Sequence, residues 1–315
     1  MNSNNLPNSG KKDKWIGTMP LPPSEANLKV IKATRWIQVY EPGPPCDLEG
    51  IGFDRSGNMY FVVPPQGLVK KLTPPDTKLT TIYDNPASQP SCVKVHKDGR
   101  LFIADLKNSK VIAMNPDGSN VVDIVRNVHR INDIIFDKHG NFYLTEMVGH
   151  ARSHGGRVLR VSADFKEVDV VFEGFASGNG IALSPDDKYL YVTDFNGNEL
   201  IRAEFEADGI TPAEYVGCDV IYRFTGPSGP DSTYVDSAGN IYQPLYRHGR
   251  VLILDKDGFP LANVLLENRD NYLGSTAVSI KPGTNEGYIV AAGTGGAAIF
   301  RFEALAKAIR MFSHR

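Results

Sequence analysis

Large apolar residues recur along this chain at intervals typical of a repeated β-sheet unit. The intervals between six of them are 42, 41, 47, 52 and 45 residues. These anchor positions are Phe53, Val95, Phe136, Leu183, Val235 and Ile280. After each anchor comes a turn and then an aromatic-rich run with alternating apolar residues, as in DRSGNMYF from Asp54 and DKHGNFYL from Asp137. The alternation predicts half-buried strands, and a period of about 45 residues predicts propeller blades rather than helical repeats.

A second motif ends each unit and strengthens this prediction. It reads GLVKKL at Gly67, KVIAM at Lys110, GRVLRV at Gly156, NELIRA at Asn198, GRVLIL at Gly249 and GAAIFRF at Gly296. Two motifs repeated six times predict an all-β fold, a six-bladed β-propeller with four-stranded antiparallel blades. We expect the strand-like stretch 29–40 to close the ring by joining the last blade, because an open propeller would expose strand edges. The stretch FEALAKAIRMF from Phe302 has helical spacing and predicts a surface helix.

Length and composition fit one domain of this kind. The chain has 315 residues, of which 30 are Gly and 21 are Pro, and its hydrophobic content is 41 %. Residues 26–315 are assigned to a single propeller domain, whereas residues 1–25 are polar and rich in Pro and are predicted to be disordered. The sequence has no apolar run of about 18 residues and its start lacks the apolar core of a signal peptide. We therefore expect a cytoplasmic protein without membrane association.

Charge and cysteine content narrow the partners further. The net charge is −2 and the sequence has no basic stripe, so nucleic acid is not an expected partner. The cysteines Cys46, Cys92 and Cys218 lack the spacing of a metal site and predict buried free thiols rather than disulfides. The oligomeric state is left open.

Polar side chains occupy one constant position, four residues before each anchor. They are Glu49, Ser91, Asn132, Asn179, Asp231 and Thr276. In an up-and-down blade this position enters the innermost strand on one face of the ring, so the six side chains converge on the mouth of the central channel. Carboxylates and carboxamides without thiolate or imidazole suit a hard cation such as Ca²⁺. The spacing alone leaves a solvated polar channel open as the alternative.

Long sequence matches connect the chain with a known family. They include LEGIGFDRSGNMYF from Leu48, VKVHKDGRLFIA from Val93, INDIIFDKHGNFYLTE from Ile131, NGIALSPDDKYLYVT from Asn179, GPDSTYVDSAGNIY from Gly229 and HGRVLILDKDGFP from His248. Over about residues 29–305 the chain resembles the gluconolactonase, senescence-marker and luciferin-regenerating family of six-bladed propellers. Within this family it is most similar to the drug-responsive calcium-dependent lactonases.

The resemblance implies a catalytic metal centre. Carried over position by position, the metal ligands fall on Glu49, Asn132, Asn179 and Asp231. Asp231 is also implied as the catalytic proton-transfer group. The implied cofactor is one divalent cation, with Ca²⁺ preferred and Mg²⁺, Mn²⁺ or Zn²⁺ as alternatives, and no organic cofactor. At the Asn132 position the lactonase branch has an acid and the gluconolactonase branch has Asn, so this chain mixes the two patterns.

The lactonase branch has a second, structural calcium site that we predict to be absent here. Its loop is shortened around Asn108, and its acidic residue is replaced by Ile124.

Together these inferences predict a metal-dependent carboxylic ester hydrolase that opens a small-molecule lactone or ester with cation-activated water. Two alternatives stay open: a phosphotriesterase-type reaction at the same centre, and a non-catalytic propeller that binds a ligand or protein. Specificity is expected from the loops 146–156 and 244–248 on the same face. The substrate-binding candidates are Ser91, His150, Arg152, His154, Tyr246, Arg247, His248 and Thr276. Because His150 and His154 lie on a Gly-flanked loop rather than a helix, solvated or substrate-contacting roles are favoured over zinc binding.

Overall fold

The fold is an all-β, propeller-like arrangement of antiparallel sheets. The computed structural model describes residues 14–15, 17–44, 46–206, 208, 211–214, 217–226 and 229–314. Short 3-10 helices in these residues span Pro23–Glu25, Pro64–Gln66, Arg269–Asn271 and Phe312–His314.

Four of the sheets have four strands each, and their spatial order follows the chain. The first contains β2 (Glu49–Phe53), β3 (Met59–Val63), β4 (Leu68–Leu72) and β5 (Thr80–Asp84). The second contains β6 (Pro90–Val95), β7 (Leu101–Asp105), β8 (Lys110–Met114) and β9 (Val122–Arg126). The third contains β10 (Ile131–Phe136), β11 (Phe142–Glu146), β14 (Gly156–Val161) and β15 (Val168–Phe175), and the hairpin β12 (Gly149–His150) and β13 (Ser153–His154) lies between β11 and β14 in the chain. The fourth contains β16 (Gly178–Leu183), β17 (Tyr189–Asp194), β18 (Glu199–Glu204) and β19 (Cys218–Arg223).

The remaining strands form one eight-stranded sheet. In spatial order they are β20 (Tyr234–Val235), β21 (Ile241–Leu245), β22 (Arg250–Leu254), β23 (Pro260–Leu266), β1 (Lys29–Tyr40), β26 (Gly296–Glu303), β25 (Glu286–Gly293) and β24 (Gly274–Ile280). The strand β1 pairs antiparallel with β26 through its second half and parallel with β23 through its first half. The stretch 29–40 therefore joins the last repeat, as the sequence predicts, and also connects it to the preceding one.

Burial decreases from the second strand of a sheet to the fourth. Every residue of β3, β7 and β11 is buried, whereas β5 and β19 contain no buried residue. Second strands lie between neighbouring sheets, so both of their faces are covered. The fourth strands of the four-stranded sheets face solvent, whereas β23, which pairs with β1, is mostly buried. The core consequently lies between sheets, where Phe102 of β7 packs edge-on against Phe136 of β10 with ring centroids 5.1 Å apart.

The DxxGN motifs form the turns between first and second strands. Oδ1 of Asp54 accepts hydrogen bonds from the main-chain amides of Ser56 and Asn58, both at 2.9 Å. The same pattern recurs at Asp137 and Asp236. The glycine of each of these three turns has a φ between 79° and 93°, a conformation that residues with a Cβ rarely adopt. These aspartates are therefore structural residues.

The described part of the N-terminal segment packs against the eight-stranded sheet. Residues 1–13 and 16, most of the segment predicted to be disordered, lie outside the described residues. The amide of Thr18 donates to both carboxylate oxygens of Asp270 at 2.8 Å. The side chain of Glu25 is 1 % exposed and pairs with Arg250. Residues 17–25 are thus held by specific polar contacts.

The C-terminal segment differs from its prediction. Phe302 lies in β26, and the described residues after it include no α-helix. The amide of Ala308 donates to Thr284 O at 2.9 Å, which ties the segment to the face that carries the DxxGN turns. Phe312 stacks on Phe136 with ring centroids 5.7 Å apart. The surface-helix prediction is wrong because an irregular chain buries these apolar residues at the far end of the central channel.

The three cysteines are free, as predicted, although only Cys92 is fully buried and Cys218 is exposed. Among the described residues, no helix combines the length and the apolar character that crossing a bilayer requires.

Candidate metal centre

In most repeats, the polar residue four positions before the anchor lies at an irregularity of the innermost strand. In five of the six repeats the ladder between the first two strands shifts register at this position. In β2, for example, Glu49 pairs with Val62, but Gly52 pairs with Tyr60. Such a β-bulge changes the direction of a side chain relative to the regular alternation. The bulges therefore explain why one constant offset from the anchor identifies residues at the mouth of the channel.

Three of the four predicted ligands, Glu49, Asn179 and Asp231, come together although they belong to different repeats. Asn132 precedes Asp133, whose negative charge acts on both acids. Asn132, Asn179 and Asp231 are 6 %, 2 % and 3 % exposed. Oε2 of Glu49 is buried as well. The Asn179 side chain is placed to hydrogen-bond the Asp231 carboxylate. The negative charge of Asp231 contributes to raising the pKa of the Glu49 carboxyl. The tertiary structure thus places residues separated by more than 180 positions in one cluster.

Three oxygen atoms of the candidate ligands are buried without a hydrogen-bond partner in the described part of the chain. They are Glu49 Oε2, Asn132 Oδ1 and Asn179 Oδ1. A buried acceptor without a donor is costly and therefore uncommon in folded proteins. Three such atoms from three repeats point to a group that the protein chain itself does not supply.

The electrostatics of the cluster favour a bound cation. Burial raises the pKa of the Glu49 carboxyl well above its ordinary value, and the negative charges of Asp231, Asp47 and Asp133 raise it further. Burial also raises the pKa of Asp231, while hydrogen bonds from the Ser232 amide and the Asn179 side chain oppose this rise. Both shifts reflect the cost of holding negative charge in a poorly solvated site. A cation among these oxygens would offset that cost.

An ion pair beside the cluster was not found from the sequence. Nζ of Lys94 lies 2.9 Å from Oδ1 of Asp133, whose side chain is fully buried. The other oxygen of Asp133 has no hydrogen-bond partner. The sequence contained one indication of Asp133. It is the only acid among the six residues that directly follow Glu49, Ser91, Asn132, Asn179, Asp231 and Thr276. Lys94 carried no such signal, since its pairing depends on the approach of β6 to β10.

The donor set fits a hard divalent cation. All four candidate ligands offer oxygen, two as carboxylates and two as carboxamides, as Ca²⁺ prefers. Glu49 and Asp231 together supply the two negative charges that balance such an ion. In the described part of the chain, no three His, Cys, Asp or Glu side chains cluster as metal ligands. The amide oxygens of Asn132 and Asn179 are therefore required to complete this centre.

Comparison with known proteins identifies the family. A family model described as the SMP-30/gluconolactonase/LRE-like region matches residues 48–271. The chain belongs to the SMP-30/gluconolactonase/LRE-like family. It is 36 % identical over 319 residues to lactonase drp35 of Staphylococcus saprophyticus, a match that covers 98 % of both chains.

Solved structures of the SMP-30/gluconolactonase/LRE-like type have a similar fold. A calcium-binding protein, regucalcin, from Agrobacterium tumefaciens has a TM-score of 0.72 at 18 % identity, covering 89 % of this chain and 98 % of its own. A luciferin-regenerating enzyme has a TM-score of 0.71 at 18 % identity, covering 86 % of this chain and 99 % of its own. The resemblance stated from the sequence is thereby confirmed.

Ser91 and Thr276 carry the two hydroxyl side chains among the six polar residues that lie four positions before the anchors. Each of them forms a hydrogen bond to a neighbouring repeat. Oγ of Ser91 donates to Ile131 O at 2.9 Å, and Oγ1 of Thr276 donates to Leu48 O. Each accepting carbonyl belongs to the residue directly before a candidate ligand. The hydroxyls therefore help position Asn132 and Glu49, and direct contact of Ser91 or Thr276 with substrate stays a prediction.

Replacing Thr276 with Val should test this role. Val retains the shape of Thr but leaves the Leu48 carbonyl without its donor, so we expect the free energy of unfolding to fall by about 1–3 kcal/mol. Urea unfolding measures the change. The matched control is Thr80→Val on the exposed strand β5, for which we expect a change within about 0.5 kcal/mol. Equal changes in the two variants would contradict a special role for Thr276.

The longest predicted loop carries a hairpin. His150 pairs with Ser153 and Gly149 pairs with His154 across β12 and β13, and both histidines are exposed. Arg152, at the tip, is exposed too, and its amide donates to His150 Nδ1 at 3.2 Å. A contact with substrate by these three side chains stays a prediction.

The base of this hairpin is fixed beside the candidate centre. Glu146 is 1 % exposed and pairs with Arg157 at 2.6 Å. Next in the chain, Sδ of Met147 accepts a hydrogen bond from Asn132 Nδ2 at 3.5 Å. The contact orients the amide so that Asn132 Oδ1 remains available.

The second loop expected to determine specificity, residues 244–248, holds its three candidate side chains in different environments. The pKa of Tyr246 is raised by burial and by the negative charges of Asp47, Asp231 and Glu49, which places its phenol near the acidic cluster. Arg247 is exposed. His248 is 5 % exposed and packs against Gly226, where an added Cβ would lie 2.8 Å from its Cε1. Tyr246 is therefore the one of these three that lies near the acidic cluster, and contact of any of them with substrate stays a prediction.

Proposed function

We propose that the protein hydrolyses a lactone at the mouth of its central channel with one divalent cation, preferably Ca²⁺, held by Glu49, Asn132, Asn179 and Asp231. The observation that carries this proposal is the set of three buried, unpartnered oxygens on three of these residues. A relative named lactonase that matches nearly the full chain supports lactone chemistry. The name of the calcium-binding neighbour supports the choice of cation.

We also infer that the ring has six blades. Four sheets account for four blades. The eight-stranded sheet is interpreted as two further blades, β20–β23 and β24–β26 with β1, which β1 connects by pairing with both β23 and β26. This interpretation agrees with the six anchors of the sequence.

Lewis-acid polarisation of a carbonyl, with stabilisation of negative charge on its oxygen, is the chemistry that a divalent cation supplies when bound at such a centre. The residues of the chain do the rest. Asp231 accepts the proton of the attacking water at its carboxylate, and the Ser232 amide, 3.0 Å from Oδ1, holds that carboxylate in one orientation.

Other residues orient the substrate and limit the access of water. Tyr246 provides a hydroxyl and an apolar ring beside the acids, with the Phe195 ring centroid 6.0 Å away. Below the acids the channel is lined mainly by apolar side chains such as Phe53 and Leu183, and Ile309 and Phe312 line its far end. We therefore infer that substrate enters from the face that carries the candidate ligands.

A paired substrate panel tests the reaction class. We expect the protein, supplied with Ca²⁺, to hydrolyse lactones of several ring sizes and to act much more slowly on phosphotriesters, as measured by proton release. Heat-denatured protein serves as the control for spontaneous ring opening. Exclusive activity on phosphotriesters would replace the lactonase proposal, and inactivity on both panels would favour a binding propeller.

A further inference from the structure

A second buried polar cluster lies away from the channel mouth, beneath the N-terminal segment. Arg269, in the 3-10 helix between β23 and β24, is 0 % exposed. Among the described residues, none of its three guanidinium nitrogens has a hydrogen-bond partner. An arginine stays charged at neutral pH and carries five N–H donors in this group. A buried guanidinium with no acceptor is among the costliest arrangements in a protein interior.

A second buried arginine increases this cost. Burial lowers the pKa of Arg269 to about 10, and the positive charge of Arg250, which is 1 % exposed at the start of β22, contributes to this fall. Nη1 of Arg250 donates to Glu25 and to Asn263, but its Nε has no partner. Glu25 also accepts from the Tyr222 hydroxyl at 3.0 Å. The buried carboxylate of Glu25 therefore pairs with Arg250 and leaves Arg269 without an ion-pair partner among the described residues.

A second acid, Asp270, lies near Arg269 and hydrogen-bonds main-chain amides of the N-terminal segment. Asp270 partly offsets the fall in the pKa of Arg269. Its carboxylate, however, accepts the amide of Thr18 at 2.8 Å and that of Met19 at 3.4 Å. An added Cβ at Gly17 would lie 3.1 Å from Cγ of Arg269, so the N-terminal segment covers the cluster closely. The cluster keeps unused guanidinium donors in an enclosed place.

We propose that Arg269 and Arg250 bind one small inorganic anion, such as chloride, beneath the N-terminal segment. A monovalent anion would place negative charge directly against the guanidinium of Arg269, which makes no ion pair among the described residues. It also accepts the free N–H groups of Arg269 and the Nε–H of Arg250. Water would supply acceptors but no negative charge, so it would leave the electrostatic cost in place. The site is independent of the proposed lactone hydrolysis.

Thermal unfolding at constant ionic strength tests the proposal. Sodium chloride replaces the sodium salt of a bulky sulfonate that is too large for an enclosed site. An anion that binds only the folded protein raises its melting temperature, so we expect a saturable rise of about 3 °C or more for the wild type. In Arg269→Met the melting temperature should not respond to chloride. A wild type that does not respond, or an equal rise in both proteins, would overturn the proposal.

A second variant and a direct observation keep the test decisive should Arg269→Met fold poorly. Glu25→Gln removes the carboxylate that competes for Arg250, so the chloride-dependent rise should be larger than in the wild type; a smaller rise would count against the site. In crystals of the wild type grown with bromide, an anomalous peak should lie within hydrogen-bond distance of Arg269. Its absence at saturating bromide would overturn the proposal.

Discussion

Replacing Asp231 with Asn is expected to lower lactone hydrolysis by about 10²–10⁴-fold while the fold is retained. The amide keeps an oxygen that can serve as a ligand, but it cannot take up the proton of the attacking water. It also removes one of the two ligand charges, which weakens cation binding. Rates should therefore be measured at saturating cation, with the affinity for the cation determined separately by calorimetry.

The matched control for this variant is Asp47→Asn. Asp47 is a nearby acid whose negative charge acts on both Glu49 and Asp231, but it is not among the proposed ligands. We expect its replacement to change the rate by less than about tenfold. Equal losses in both variants would assign the effect to the local field rather than to proton transfer. Substantial activity of Asp231→Asn at saturating cation would exclude the proton-transfer role.

Removal of divalent cations is expected to abolish hydrolysis and to lower the melting temperature together. Without a cation, Glu49 and Asp231 repel each other, and the buried oxygens of the two asparagines lack a partner. Adding Ca²⁺ back should restore both properties, because a ligand that binds only the folded state stabilises it. The stability measurement does not depend on knowing the substrate.

Two variants test whether the Ca²⁺-dependent rise in melting temperature depends on the proposed ligands. Glu49→Gln should lose most of the Ca²⁺-dependent rise in melting temperature, whereas Glu41→Gln, a change at an exposed acid, should retain it. Full activity of protein that elemental analysis finds free of metal would exclude the metal-dependent proposal but keep the lactonase assignment. Ca²⁺-dependent stabilisation without hydrolysis of lactones or phosphotriesters would indicate a binding propeller.

The candidate centre could be located from the sequence because a repeated backbone feature determines it. Each repeat enters its innermost strand at the same offset from an apolar anchor, and the β-bulge at that offset recurs in most repeats. Local spacing was therefore sufficient to select a set of six residues that includes Glu49, Asn132, Asn179 and Asp231, and the family resemblance distinguished these four as the implied ligands.

The surroundings of the centre could not be located in this way, because they depend on contacts between repeats. The Lys94–Asp133 pair joins β6 to β10, and the sulfur of Met147 contacts Asn132 from a different strand. The hydroxyl of Thr276 reaches Leu48, which is 228 residues away in the chain. Short-range patterns contain no information on which side chains of neighbouring repeats face each other.

The sequence by itself determined the all-β class, the period of the repeats, the turns with their aspartates and the oxygen-rich set at the mouth. These features depend on alternation, on the conformational freedom of glycine and on hydrogen bonds within a few residues. Only the tertiary structure decided the course of the C-terminal segment, whose helical spacing was overridden when Ile309 and Phe312 became buried at the far end of the channel. It alone also placed Arg269 beside Arg250, since burial and charge balance depend on which distant segments pack together.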